Sequence, residues 1–361
     1  MKTLLKIIGW ALAIVAVVVI GGWFALKRPD IPYAELDAKY AVPGEKYADL
    51  GEGLRVRYVE AGDPKAPTVL LLHGYTASLE GWDAWIKALS GQYHVVAIDL
   101  PGHGLTRAPA GWQASPQAYA AVVERFAAKQ GLGQFVLVGE SMGGWAAWEY
   151  ALAHPERLQG LVLVDSSGWP DLRARTKEIQ SSFMVRALHN PLGRAILEPL
   201  DARANLESGL LAAFENDRLV TDAMVDRYWA FNRAPGHRKI ITDLFVNYER
   251  YPMATAERLA AIRTPTLILQ GEKDELVPLD HARQFDAAIP DSRLIVYQGV
   301  GHIPPEEASA ASAADLLAFL GALKLGAAPA ATEETTPAKP TTTESTSPPP
   351  TNPLDPSLIF Q

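Results

Sequence analysis

FVLVGESMGGWAAWEYALA, residues 135–153, decides how the rest of this 361-residue sequence is read. Its first part is a short apolar run rich in branched side chains, the pattern of a strand buried on both faces. From Gly143 to Ala153 the sequence reads as a helix. Gly139-Glu140-Ser141-Met142-Gly143 lies at the junction. A serine at the apex of so abrupt a strand-to-helix turn is held in a strained backbone conformation, and glycines two positions to either side let strand and helix converge without collision. The five-residue pattern alone recurs by chance; its place between that strand and that helix makes it a nucleophile turn.

Working outward, short apolar runs recur at 68–72 (TVLLL), 93–99 (YHVVAID), 158–165 (LQGLVLVD), 265–271 (PTLILQG) and 293–297 (RLIVY). Helical patterns at 81–89, 116–129, 280–288 and 308–323 alternate with them. Such alternation predicts a mostly parallel sheet with right-handed crossovers, an α/β doubly wound architecture. The run 54–60 (LRVRYVE) alternates polar and apolar and suits an antiparallel strand near the edge. The rhythm breaks between Ser167 and Ala254, where helical patterns interrupted by prolines replace strands; this predicts an inserted helical cap over the carboxyl ends of the strands, where ligands bind in open α/β sheets. The expected division is an anchor over 1–30, core over 31–166, cap over 167–254, core again over 255–325 and a tail over 326–361.

A serine hydroxyl needs a general base within hydrogen-bond reach, itself oriented by an acid. Asp274 follows the strand 265–271, and His302 follows the last strand in Gly299-Val300-Gly301-His302. Both emerge at the same sheet edge as Ser141, in the order Ser, Asp, His. His73, His94, His103, His154, His189, His237 and His281 each fit packing or surface roles. Asp165, which also ends a strand, is the rival acid. Acyl transfer further needs donors for a developing oxyanion. The backbone N–H groups of Met142, at a helix start, and of Tyr75, in His73-Gly74-Tyr75 after a strand, are the candidates.

With these residues the sequence resembles the α/β-hydrolase superfamily, and within it the capped bacterial serine hydrolases that include esterases, lipases and C–C bond hydrolases. Leu71-Leu72-His73-Gly74, Asp99-Leu100-Pro101-Gly102-His103-Gly104 and His154-Pro155-Glu156-Arg157 extend the likeness over roughly residues 48–325. The resemblance implies the triad Ser141, Asp274 and His302, with hole donors at Tyr75 and Met142. Relatives with an aspartate nucleophile act as dehalogenases or epoxide hydrolases, which Ser141 argues against. The loop has His-Gly-Tyr in place of a triple glycine, which argues against bulky tertiary-alcohol esters.

The expected activity is ester hydrolysis on a small-molecule or lipid ester; the alternatives are C–C cleavage of diketone ring-cleavage products and a non-catalytic tethered binding protein. Trp169, Phe183, Met184, Phe214, Met224, Trp229, Phe231, Phe245 and Tyr251 supply apolar bulk to the cap, and Trp169, Phe183, Trp229 and Phe231 are singled out as pocket candidates against a plain cap-core role. No metal-ligating pattern appears and no cofactor is inferred. A net charge of −8 argues against nucleic-acid binding, and the lack of cysteine excludes disulfides and thiolate chemistry.

Residues 7–26 carry no charge and, as a helix, are long enough to cross the roughly 30 Å hydrocarbon core of a bilayer. Trp10 and Trp23 near the ends and flanking Lys2, Lys6, Lys27 and Arg28 predict a membrane anchor in preference to a cleaved signal, whose apolar run would be shorter and close on small residues. The slight basic bias of the leading flank favours a cytoplasmic N-terminus. The expected location is thus a bacterial inner membrane with the catalytic domain on the periplasmic side. The Ala/Pro/Thr-rich tail cannot bury enough apolar surface to order itself and is expected to be disordered.

Overall fold

A computed structural model describes residues 2–170, 178–179, 181–323 and 325–326. The expected disordered tail, apart from Gly326, lies outside these residues, as does the stretch 171–177 of the cap. Eight strands form one sheet in the order β1-β2-β4-β3-β5-β6-β7-β8. They are β1 (Lys46–Asp49), β2 (Arg55–Ala61), β3 (Thr68–Leu72), β4 (His94–Ile98), β5 (Phe135–Glu140), β6 (Leu158–Val164), β7 (Thr266–Gly271) and β8 (Ser292–Tyr297). β1 and β2 pair antiparallel, β2 pairs antiparallel with β4, and the other pairings are parallel. The apolar runs of β3, β4 and β5 are buried at every position because helices cover both faces. β1 was not foreseen: four residues with one buried side chain carry too little alternation to be read.

The helices are α1 (Lys2–Leu26), α2 (Tyr33–Tyr40), α3 (Asp83–Leu89), α4 (Pro116–Lys129) and α5 (Met142–Ala153), followed between β6 and β7 by α6 (Phe183–Leu188), α7 (Pro191–Leu197), α8 (Arg203–Ala213), α9 (Asp222–Asn232) and α10 (His237–Val246). α11 (Leu279–Ala288) and α12 (Ser309–Ala322) complete the layers. α4 starts where Ser115 caps it by accepting from the Ala118 amide, with Pro116 in the first turn. Its buried face, including Tyr119, Val123 and Phe126, joins the larger of the two cores that cover the opposite faces of the sheet, beside two smaller clusters in and around the cap.

Residues 27–31 are bonded to the cap. Lys27 and Leu200 form a backbone bridge, the Arg28 amide donates to Pro199 O, and Arg28 pairs with Asp201 at 3.0 Å. Arg238 donates to Arg28 O and pairs with Asp30.

One fully buried charge fixes the edge of the sheet beneath the site. Arg57 of β2 meets Asp99 at 3.0 Å, Glu80 at 2.8 Å and Glu45 at 2.8 Å. Asp99 also accepts from the amides of Leu79 and Leu105, ordering the loops after β3 and β4. Burial raises the Asp99 carboxyl to about 6 although Arg57 opposes it. Arg57→Ala leaves these acids without their cation and is expected to destabilise the fold by about 3–5 kcal/mol. A urea-unfolding midpoint equal to that of the parent chain would refute this.

Candidate active site

Ser141 sits between β5 and α5 with φ 51° and ψ −114°, a left-handed conformation that a side chain adopts only when its surroundings impose it. The imposing contacts are close: a Cβ on Gly143 would lie 2.5 Å from Leu72 O and 2.6 Å from His73 O. The Ser141 amide donates to Val164 O and its carbonyl accepts from Trp145 and Ser167, so the apex is held from both neighbouring elements.

The loop after β3 touches this apex. A Cβ on Gly74 would meet the Ser141 Cβ at 3.2 Å and the Glu140 carboxyl at 3.4 Å, so the backbone lies against the serine only because residue 74 has no side chain. His73 positions the loop. Its Nε2 accepts from the Leu100 amide at 2.9 Å, so the proton is on Nδ1, which donates to Gly74 O at 2.8 Å. Burial lowers the His73 pKa to about 4, which keeps that tautomer neutral. Glu140 accepts from the Gly74 amide at 3.3 Å. The amides of Tyr75 and Met142 have no hydrogen-bond acceptor among the described residues. The second of these opens α5, where the helix dipole favours negative charge.

Asp274 and His302 are brought together at the carboxyl ends of β7 and β8. His302 Nδ1 and Asp274 Oδ2 are 2.7 Å apart, a charge-assisted hydrogen bond. Asp274 Oδ1 accepts from the amides of Leu276 and Val277 at 2.8 Å each, and Gln270 donates to Oδ2. Burial alone would raise the Asp274 pKa; His302 and these donors reverse that and hold it below its ordinary value. Burial likewise disfavours the His302 cation, but Asp274, with help from Glu140 and Glu307, lifts the imidazole above its usual value.

The rival acid Asp165 is placed differently. Fully buried, it accepts from the Gly271 amide and makes no hydrogen bond to His302 among the described residues. Burial and the neighbouring Asp274 charge push its pKa far up. One ligand atom from each of Asp165, Asp274 and His302 lies within 4.8 Å of the others, but the closest approach is the imidazole–carboxylate hydrogen bond itself.

Ser141 and His302 line one cavity of about 530 Å³. No hydrogen bond joins their side chains among the described residues. Tyr75, Met142, Trp145 and Val277 contribute from the core, and Leu206, Leu210, Tyr228, Leu244 and Phe245 from the cap. Glu140 and Glu275 are the charged lining, and no Lys or Arg is present among the described lining residues. The four cap residues singled out from sequence lie elsewhere. Phe183 is 86% exposed, Phe231 is buried with Leu36 and Leu105, Trp229 lies under Arg233 beside a smaller pocket, and Trp169 packs edge-on against Phe285. Residue type identified apolar bulk, whereas helix rotation decides which of it faces the serine; Phe245 is the member of the wider set that does. Sequence reasoning also missed Glu140 as a loop-holding group; its adjacency to Ser141 was the available signal.

A family model described as the alpha/beta hydrolase fold matches residues 67–309. A dihydrolipoyllysine-residue acetyltransferase component of an acetoin cleaving system from Cupriavidus necator is 28% identical over 288 residues, 77% of this chain and 69% of its own. A 2-hydroxy-6-oxo-6-phenylhexa-2,4-dienoate hydrolase from Burkholderia cepacia is 29% identical over 262 residues, covering 69% of this chain and 85% of that protein. Among solved structures, a membrane phospholipase A described as a bacterial virulence factor superposes with a TM-score of 0.63 at 27% identity, over 89% of this chain and 98% of its own.

The electrostatics have a direct readout. An NMR titration of the His302 imidazole should give a midpoint above about 6.5, the ordinary histidine value, and Asp274→Asn should move it down because the neutral amide no longer favours the cation. An unmoved midpoint would exclude the pairing.

Proposed function

This chain belongs to the α/β-hydrolase family, and we propose that within it the protein is a serine hydrolase that cleaves carboxylic esters through an acyl-enzyme intermediate. The observation that carries the reading is that Ser141, strained at its turn, and His302, paired with Asp274, face one apolar cavity. Because Nδ1 is engaged by Asp274, Nε2 is the nitrogen free to take the Ser141 proton. Ser141 Oγ then attacks the ester carbonyl, and the oxyanion is received by the unpaired amides of Tyr75 and Met142. The proton passes to the departing alkoxide, and a water activated by the same imidazole releases the acid.

The nature of the cavity favours an ester over a C–C substrate. A dienoate carries a carboxylate, and a buried carboxylate needs a cation or several donors. The described lining has no Lys or Arg; its neutral donors such as Thr76, Asn205 and Tyr228 are outnumbered by apolar side chains suited to an uncharged acyl chain. The non-catalytic alternative would leave the left-handed Ser141 and the buried His302–Asp274 pair without a use, although each is costly to maintain.

The likeness to a membrane phospholipase A supports a lipid ester and membrane attachment. In this reading α1, uncharged from Ile7 to Leu26, is the anchor, and Lys2 and Lys6 keep its N-terminus cytoplasmic, leaving the enzyme at the periplasmic face of a bacterial inner membrane. The bonds of residues 27–31 to the cap support retention of the helix, since that stretch is part of the folded body.

Ser141→Ala should lower turnover of p-nitrophenyl esters by about 10³-fold or more with the thermal midpoint unchanged. Asp274→Asn should cost far more than Asp165→Asn, since only Asp274 is hydrogen-bonded to the imidazole among the described residues. Residual activity of Asp274→Asn should also show its acidic limb at lower pH than the parent, following the imidazole. Faster cleavage of a vinylogous diketone acid than of any p-nitrophenyl ester would move the assignment to C–C hydrolysis, and no labelling of Ser141 by a fluorophosphonate would exclude a serine enzyme.

A further inference from the structure

The cap carries an apolar face that is turned away from the cavity and from the core. On α6, Phe183 is 86% and Met184 57% exposed while Val185 is buried. On α7, Leu192 and Ile196, one helical turn apart, are 70% and 45% exposed. Four large apolar side chains on two adjoining helices form a patch, and a patch of this kind on a soluble surface marks an interaction site.

The position of the patch names its partner. Trp23, in the last turn of α1, donates its indole N–H to Ile196 O at 2.8 Å, and the bridge between Lys27 and Leu200 follows directly. The exposed apolar surface of α1 therefore runs without a break onto α7. A bilayer that takes up α1 to its end reaches the level of the Ile196 backbone. Cations border the patch as they border α1: Lys27 lies over the Trp23 ring, and Arg186 is exposed on α6. An apolar ridge rimmed by basic residues is the pattern of a segment lying in the headgroup region.

Ile179, four residues before Phe183, lines the cavity and is also 43% exposed, and Leu276, another lining residue, is 42% exposed. We infer that the face made by Phe183, Met184, Leu192 and Ile196 is seated in the leaflet that holds the end of α1, and that the cavity mouth at Ile179 opens beside it. The enzyme then draws an acyl ester laterally from the bilayer, without that ester crossing water. This substrate route rests on the ester reading and on α1 as an anchor; the seating of the face rests on the anchor alone.

Because the chain contains no cysteine, single labels are unique. The full chain, carrying a fluorophore at Phe183→Cys or Leu192→Cys, would be reconstituted in phosphatidylethanolamine–phosphatidylglycerol vesicles containing a lipid nitroxide quencher. Val18→Cys within α1 and Lys65→Cys, at the opposite edge of the sheet, give the limits. Quenching at 183 and 192 well above that at 65, with 18 as the upper limit, is expected; quenching at the level of 65 overturns the proposal, as does an absence of quenching at 18 itself. Shielding from both lipid and aqueous quenchers that disappears on dilution would give the face to a second copy, and also overturns it. The double variant Phe183→Ser/Leu192→Ser should lower turnover of a long-chain glycerol ester dispersed in the vesicles by about tenfold, with turnover of p-nitrophenyl acetate and the thermal midpoint unchanged. Equal loss on both esters would refute the lateral route. If the parent chain cleaves neither ester, the ester reading and the route fail together, while the quenching still decides the seating.

Discussion

The chemistry at the carboxyl edge of the sheet depends on one steric constraint, the close approach of the β5–α5 turn to the end of β3. A side chain on residue 143 would stand 2.5 Å from Leu72 O, so the helix can start directly over β3 only with glycine there. That approach forces Ser141 into its left-handed conformation and sets the Met142 amide at the helix start, pointing out of the ladder. It also brings Gly74 against the serine. Under the proposed function, one contact thus serves the nucleophile and the donors on either side of it. None of these features is separately adjustable.

Around this apex the structure gathers more carboxyl groups than can all be charged. Glu140, Asp165 and Asp274 are buried close to His302, and Glu306 nearby is raised to about 7, with burial as the largest cause and Glu140 the next. The donors decide which group keeps its charge. Asp274 has two amides, a glutamine and the imidazole, whereas Asp165 has a single amide. At Asp274 the imidazole first, and then the amide of the 274–277 turn, outweighs desolvation, whereas at Asp165 burial and the neighbouring Asp274 charge outweigh its single amide donor. The two carboxyls are therefore shifted in opposite directions.

This explains what could be read in advance. Apolar runs bounded by turns identified the buried strands, since burial on both faces leaves no polar position to confuse the period. The elbow and His302 were legible because each sits at a strand end with glycines around it. Asp165 and Asp274 both end strands, so position alone could not separate them; the distinction lies in hydrogen bonds that form only after folding. The cap was legible as helical but not in its facing. Phe183 and Leu210 look equally suited to a pocket, yet one is exposed and the other lines the cavity, because tertiary packing sets the rotation of each helix. Arg57 also gave no signal: within LRVRYVE it reads as a solvated position, and only the three acids that meet it account for its burial.

The cap is more than a roof, because it is tied down at two opposite places. The amide of His302 donates to Ala213 O at 2.7 Å, at the end of α8, and the Glu307 carboxylate accepts from the amides of Glu215, Asn216 and Gly301. His302 is thereby held by the cap as well as by the end of β8. At the far side α7 is fastened to the segment that follows α1. A cap held at both sides does not lift as a unit without breaking the bonds that position the imidazole. Ile179 and Leu276, both lining the cavity, are 43% and 42% exposed. Under the proposed function, residues of the cap far from Ser141 therefore bear on turnover through the placement of His302.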